Sequence, residues 1–306
     1  VILQRDRMQE VLSKLAGSVA GGVSTGLCLC LPLFVLMWRI VRRKKAYKAE
    51  REDPFTELPL RAPGESLRLR IDELGDEQMS TFLIALLAPV FSLVLITGLP
   101  TQYRAHGLGI AFVVISVVSF MVGRDVIKGL RSLWDHKLAF TGERAVGEEL
   151  TQLLAKGYHV FHDLPFEGFN IDHVIVGPTG VYAVETKTRR KPKENGKKAG
   201  YKVEFDGTTL TFEKIGRDAK AAAQAKANAQ SLSKWLSGET GQKIFVRGIV
   251  TIPGWWVDDS TLHPVWVLNP KRIQVFVTRA AESPLPSKLV NQIAYKITER
   301  CRLKKE

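Results

Sequence analysis

Asp172 and Glu185 lie on either side of Gly177-Pro178-Thr179-Gly180, and Lys187 follows two positions after the glutamate. The flanking segments, IDHVIV and VYAVETK, are rich in β-branched and aromatic residues. A Gly/Pro cluster between two such runs predicts an antiparallel hairpin. Closing the hairpin on that turn sets Val176 against Val181, and counting outward sets Asp172 against Glu185. Side chains alternate along a strand, so Lys187 shares the face of Glu185 while Tyr182, Val184 and Thr186 take the other. Two carboxylates facing each other across a hairpin destabilise it unless positive charge sits between them. A divalent cation is the natural filler, because hard cations take oxygen ligands. The pattern therefore predicts a metal site with an amine beside it. An ordinary hairpin would instead carry these residues on a solvated outer face, where an ion pair contributes little.

The elements that would hold this hairpin follow from periodicity. Leu130–Phe140 reads as a helix leading into the domain. In the segment after it, Val146, Leu150, Leu153 and Leu154 recur at helical spacing, with Gly157 as the stop signal. On that helix Glu143 projects near the apolar stripe, whereas Glu148 falls almost opposite it and is expected in solvent. Glu143 could also simply favour a helix N-terminus. Tyr158–His162 is expected as the first strand and Asp163–Asn170 as a Pro/Gly loop. His159 and His162 point to opposite faces of one strand, and His173 faces away from Asp172, so these histidines are expected in packing or at the surface rather than on zinc. After Lys187 come Arg189, Arg190, Lys191, Lys193, Lys197, Lys198 and Lys202. Beside a metal site, such a run could neutralise a phosphate backbone; it could equally lie on anionic lipid. Val203–Phe205 and Thr209–Phe212 predict a second hairpin around Asp206-Gly207. The alanine-rich stretch Arg217–Leu236 predicts a helix with Gln224, Asn228 and Leu232 at intervals of four. Ile244–Ile252 and Gln274–Thr278 are expected as strands and Ser287–Arg302 as a closing helix. Trp255, Trp256 and Trp266 could stack on bases, but tryptophans between strands more often complete a core, and none is assigned.

Taken together, Gly142-Glu143 with Val146 three positions on, Asp172, the Glu185-x-Lys187 strand and the later helix resemble the nuclease-related domain (NERD) family. That family is a branch of the PD-(D/E)XK phosphodiesterase superfamily, and the resemblance covers about Thr141 to Trp235. It implies an α/β fold: a restriction-endonuclease-like mixed sheet flanked by helices. It also implies a metal-dependent nuclease that hydrolyses phosphodiester bonds. Asp172 and Glu185 would bind Mg²⁺ or Mn²⁺, with Glu143 completing the shell. Lys187 would orient or deprotonate a water or offset charge on the phosphate, and Gln224 would position substrate. Arg189, Arg190, Lys191, Lys193, Lys197 and Lys198 would meet nucleic acid, with DNA the expected substrate. No organic cofactor is implied, and the oligomeric state stays open.

The chain has 306 residues and carries 44 Lys and Arg against 31 Asp and Glu, a net charge of +13, which favours an anionic partner. Its three cysteines, Cys28, Cys30 and Cys301, support neither a disulfide framework nor a Cys-based zinc site. Three uncharged, apolar runs, about 17–38, 80–100 and 107–123, are long enough to cross a bilayer. Arg39, Arg42, Arg43, Lys44, Lys45 and Lys48 follow the first run, whereas the tip between the second and third holds only Arg104. Positive charge stays on the cytoplasmic side, which places the connector 39–79 inside and the N-terminus outside. Residues 1–134 are thus expected as a three-helix membrane region of a bacterial inner membrane, and residues 135–306 as a cytoplasmic nuclease domain. A DNA-tethering or protein-interaction module at the membrane is the alternative.

Overall fold

The computed structural model describes residues 58–97, 101–192, 201–258, 260, 263–280 and 283–303, together with residues 13, 35, 36, 38, 39, 42 and 43. The chain divides into two compact units. One takes Glu73–Leu133 together with the chain before Glu57; the other takes Glu57–Asp72 and Trp134–Glu306.

The first unit contains helical chain only among its described residues, from helices α1 (Glu65–Thr97) and α2 (Thr101–Leu150). Among the described residues one helix, α2, is long and apolar enough to cross a membrane; its most apolar window of 18 residues has mean hydropathy 2.1 and none of it is buried. Leu108, Ile110, Phe112, Val113, Phe120 and Met121 are all exposed. Most of the first expected span, 17–38, lies outside the described residues, and of the second, 80–100, the structure describes backbone but few side chains.

The second unit is built on a five-stranded sheet of order β1-β2-β3-β7-β9. Its strands are β1 (His159–Phe166), β2 (Phe169–Gly177), β3 (Gly180–Thr186), β7 (Val246–Thr251) and β9 (Val265–Leu268). The first three run antiparallel, while β3, β7 and β9 run parallel. A smaller sheet, of order β6-β5-β4-β8, is made by β4 (Lys202–Phe205), β5 (Leu210–Phe212), β6 (Gly216–Asp218) and β8 (Trp256–Val257). Helices α3 (Lys220–Thr240), α4 (Pro270–Arg279) and α5 (Ser287–Cys301) complete the unit. Strand alternation sorts the core into two layers. Val174, Val176 and Val181 pack with Leu232 of α3 and Ile293 of α5. Ile175, Tyr182 and Val184 pack on the other side with Val146 of α2 and Ile273 of α4. Each fully buried Leu or Ile here contributes roughly 1.5–3 kcal/mol. This mixed α/β arrangement fits a restriction-endonuclease-like fold.

Two expected elements differ. Gln274–Thr278 is helix, not strand: Asn269 caps it by accepting from Lys271 N, Pro270 sits at its start, and Ile273 and Val277 are buried one turn apart. The alternating IQVFVT pattern reads as a strand only if that cap is overlooked. Asp163–Asn170 is not a loop but the tip of a hairpin, with Phe166 paired to Phe169. Pro165 is tolerated there because β1 is an edge strand.

The polar segment expected as part of a connector also takes structure. Glu57–Asp72 is integrated into the second unit. Arg61 forms a 2.7 Å ion pair with the buried Asp163, which also accepts from Ser66 N and Oγ.

Candidate active site

The hairpin register is Val176 to Val181 and His173 to Val184, so one further step sets Asp172 beside Glu185. Thr186 N donates to Asp172 Oδ2 at 2.7 Å, which fixes one carboxylate oxygen and leaves Oδ1 for another partner. Lys187 N donates to Thr251 O, prolonging the β3–β7 pairing by one residue and holding the lysine at the sheet's end. Its Nζ donates to Glu185 Oε1 at 2.6 Å and to Gln224 Oε1 at 2.9 Å. Asn228 Nδ2 donates to Glu185 Oε2 at 2.9 Å. Gln224 and Asn228 sit one turn apart on α3 and present successive amides to the Glu185–Lys187 pair. Sequence reasoning noted Asn228 in that row but gave it no role; its position one turn after Gln224 was the available signal.

Glu143 enters from α2 and is 8% exposed. The glycine before it is a packing requirement, since a Cβ on Gly142 would collide with the Thr188 side chain. Glu143, Asp172, Glu185 and Lys187 line a single cavity of 470 Å³, together with Arg189 and Arg190. Glu148 is exposed, as its place on the helix predicted.

The electrostatics follow from burying acids together. Desolvation, then the Asp163 and Glu185 charges, push the Glu143 carboxyl up to about 8, against an opposing pull from Lys187. Desolvation and the Glu185 and Glu143 charges hold Asp172 well above the usual carboxylate range. Burial also raises Glu185, partly offset by the Lys187 charge and by its hydrogen bonds from Lys187 and Asn228. Lys187 is thus the cation that all three acids sense.

Among the described residues no three His, Cys, Asp or Glu side chains form a ready-made metal cage. The donor chemistry nonetheless fits a hard divalent cation, because the buried carboxylates repel one another across one cavity.

The basic residues separate. Arg189 pairs with Asp218 at 2.7 Å while lining the cavity, and Arg190 donates to Trp134 O. Lys191 lies over the Tyr201 ring, 4.2 Å from its centroid. Lys193, Lys197 and Lys198 lie outside the described residues.

The histidines lie in packing or at the surface, as expected: His173 is buried, His162 half-buried and His159 exposed. His162 and His173 face each other across β1 and β2, with their Nδ1 atoms 2.8 Å apart, so one ring donates and the other accepts. Burial lowers His162 to about 4, and burial followed by the His162 charge holds His173 well below the usual imidazole range, which keeps both neutral. Alternation within each strand fixes which face each ring takes, and the β1–β2 register, which joins non-adjacent residues, brings the two rings together. Of the tryptophans, Trp255 and Trp266 are buried, whereas Trp256 is 70% exposed.

This unit is therefore an α/β domain with an acid-and-lysine cluster at the end of a parallel strand pair. Residues 138–253 match the family model of the nuclease-related domain (NERD), a span that takes in Glu143, Asp172, Glu185, Lys187, Gln224 and Asn228. That match suggests a nuclease-related function. Neither a curated protein nor a solved structure matches the chain.

Proposed function

We propose that the chain is a membrane-anchored, divalent-metal-dependent nuclease of the PD-(D/E)XK type that hydrolyses phosphodiester bonds of DNA on the cytoplasmic side. The observation that carries the reading is the convergence of Glu143, Asp172, Glu185 and Lys187 on one cavity bordered by Arg189 and Arg190. Carboxylates facing a polyanion are counterproductive for simple binding, so their burial here argues for a cation between protein and phosphate. Asp172, Glu185 and Glu143 would hold Mg²⁺ or Mn²⁺. When bound, such an ion supplies Lewis acidity to the scissile phosphate and acidifies water. Lys187, steered by Gln224, orients the attacking water or offsets charge developing on phosphate oxygens. Asn228 donates to Glu185 Oε2 and so restrains the orientation of that carboxylate. Arg189 and Arg190 draw the backbone toward the cavity.

Membrane anchoring is supported by α2, whose apolar run is exposed, and by the basic residues Arg124, Lys128 and Arg131 that follow that run within the helix. The three-span layout with the N-terminus outside rests on the same charge asymmetry.

The test is incubation of the full chain in detergent with supercoiled plasmid, linear duplex DNA, single-stranded DNA and RNA, in Mg²⁺ and in EDTA. Cleavage of DNA in Mg²⁺ alone is expected, with Asp172→Asn abolishing it. A folded chain that binds DNA equally before and after Asp172→Asn and leaves every nucleic acid intact would instead be a tethering module.

A further inference from the structure

A second cavity, of 460 Å³, is lined by elements that also line the carboxylate cavity and takes no part in the roles assigned so far. Its walls include Trp256, Tyr201, Lys191 and Lys271, with Glu149 the acidic group present. Two elements run through both cavities. Helix α2 supplies Glu143 to the first and Ala145 and Glu149 to the second; the segment after β3 supplies Arg189 and Arg190 to the first and Lys191 to the second. The positions from Lys187 to Lys191 span at most about 14 Å when fully extended, a distance that a few nucleotides cover.

Trp256 is 70% exposed although Trp255, its chain neighbour, is 2% exposed. Trp256 lies in β8, with Lys202 beside it and Val203 beside Val257, whereas Trp255 precedes that strand and packs in the core with Val203 and Phe212. The anchoring around Trp256 is firm: its N donates to Tyr201 O at 2.8 Å, and Trp255 Nε1 donates to Arg189 O at 3.1 Å. That second bond ties the tryptophan pair to the cationic segment leaving the carboxylate cavity. The indole thus offers its ring to solvent at the wall of this cavity, beside Lys191 and Lys271.

We propose that Trp256 is a stacking platform for an unpaired base, with Lys191 and Lys271 flanking it to meet the adjoining phosphates. This deepens the nuclease reading and rests on it: the substrate class becomes single-stranded or frayed DNA rather than intact duplex. Stacking needs an exposed π-face, which bases inside a duplex do not offer, and flanking cations supply the backbone attraction that such platforms use.

The test uses the full chain in detergent with EDTA present, so that binding is read without cleavage. The probes are a fluorescein-labelled oligothymidylate and a duplex of equal length. Trp256→Ala is expected to weaken oligothymidylate binding about tenfold, within the range one base–aromatic stack supplies, and to change duplex binding less than about twofold. Trp256→Phe is expected to restore most of the affinity. Because the side chain is exposed, loss of folding is not expected, and an unchanged melting temperature checks this. Unchanged oligothymidylate affinity in Trp256→Ala overturns the proposal; equal loss on both probes overturns it as well. Selective loss in a chain that cleaves nothing would retain the subsite and sink the nuclease reading. Mg²⁺-dependent cleavage with unaltered single-strand affinity would do the reverse.

Discussion

Glu143 keeps its proton to about pH 8 because it is buried beside Asp163 and Glu185. That has a measurable consequence for the metal-free protein. Its folded pKa lies above the unfolded value, so its contribution is fully present below about 4.5 and is lost as pH rises through about 8. Glu143→Gln removes this loss. At pH 8 without metal the variant is expected to melt higher than the parent by roughly 10 °C, with the gap closing toward pH 5. The buried histidine pair, whose depressed pKa values destabilise the fold as pH falls below about 6.5, acts in both proteins and cancels in the comparison. Thermal melts across this range decide the matter; a variant less stable at pH 8 would show that Glu143 is not in conflict with its neighbours. At Lys187 the expectation is kinetic. Lys187→Ala should lower cleavage by roughly 10²-fold or more with substrate affinity little changed, as for a group acting on developing charge.

At the scale of elements, the site depends on contacts that fix strand ends and helix approach. Arg61 and Ser66 bring Glu57–Asp72 onto Asp163. Arg61→Ala leaves a buried carboxylate without its cation. A stability loss of about 3 kcal/mol is expected, the lower end for a broken buried pair because Ser66 still donates. Hydrogen exchange should then quicken in Glu57–Asp72 before it does in β3. The β2–β3 hairpin was fully legible in the chain, because Gly177-Pro178-Thr179-Gly180 fixes the turn and the turn fixes the register. Helix α3 was legible from its alanines, and its amide row from the spacing of four. Helix α4 was not, because its β-branched residues mimic strand alternation and only Asn269-Pro270 marks the start. The Arg61–Asp163 pair joins residues a hundred positions apart, and no local pattern announces such a contact. Trp256 was equally hidden, since facing in or out depends on which residues form the two-residue strand β8.

For the whole molecule, the proposed function couples a net charge of +13 to a polyanion and the exposed apolar run of α2 to a bilayer. If Arg189 and Arg190 contact phosphates, the double alanine variant should reduce the slope of log affinity against log salt by about 2. Protease added to sealed inside-out vesicles should degrade Trp134–Glu306, whereas right-side-out vesicles should protect it. The central claim, however, is that buried acids at the end of β3 form a cation site. Calorimetric titration of the full chain with Mn²⁺, beside Asp172→Asn, addresses it without relying on activity. One saturable site or a pair of sites in the parent, absent from a folded Asp172→Asn, is the predicted result. No saturable binding in the parent, or identical binding in both, would contradict the account.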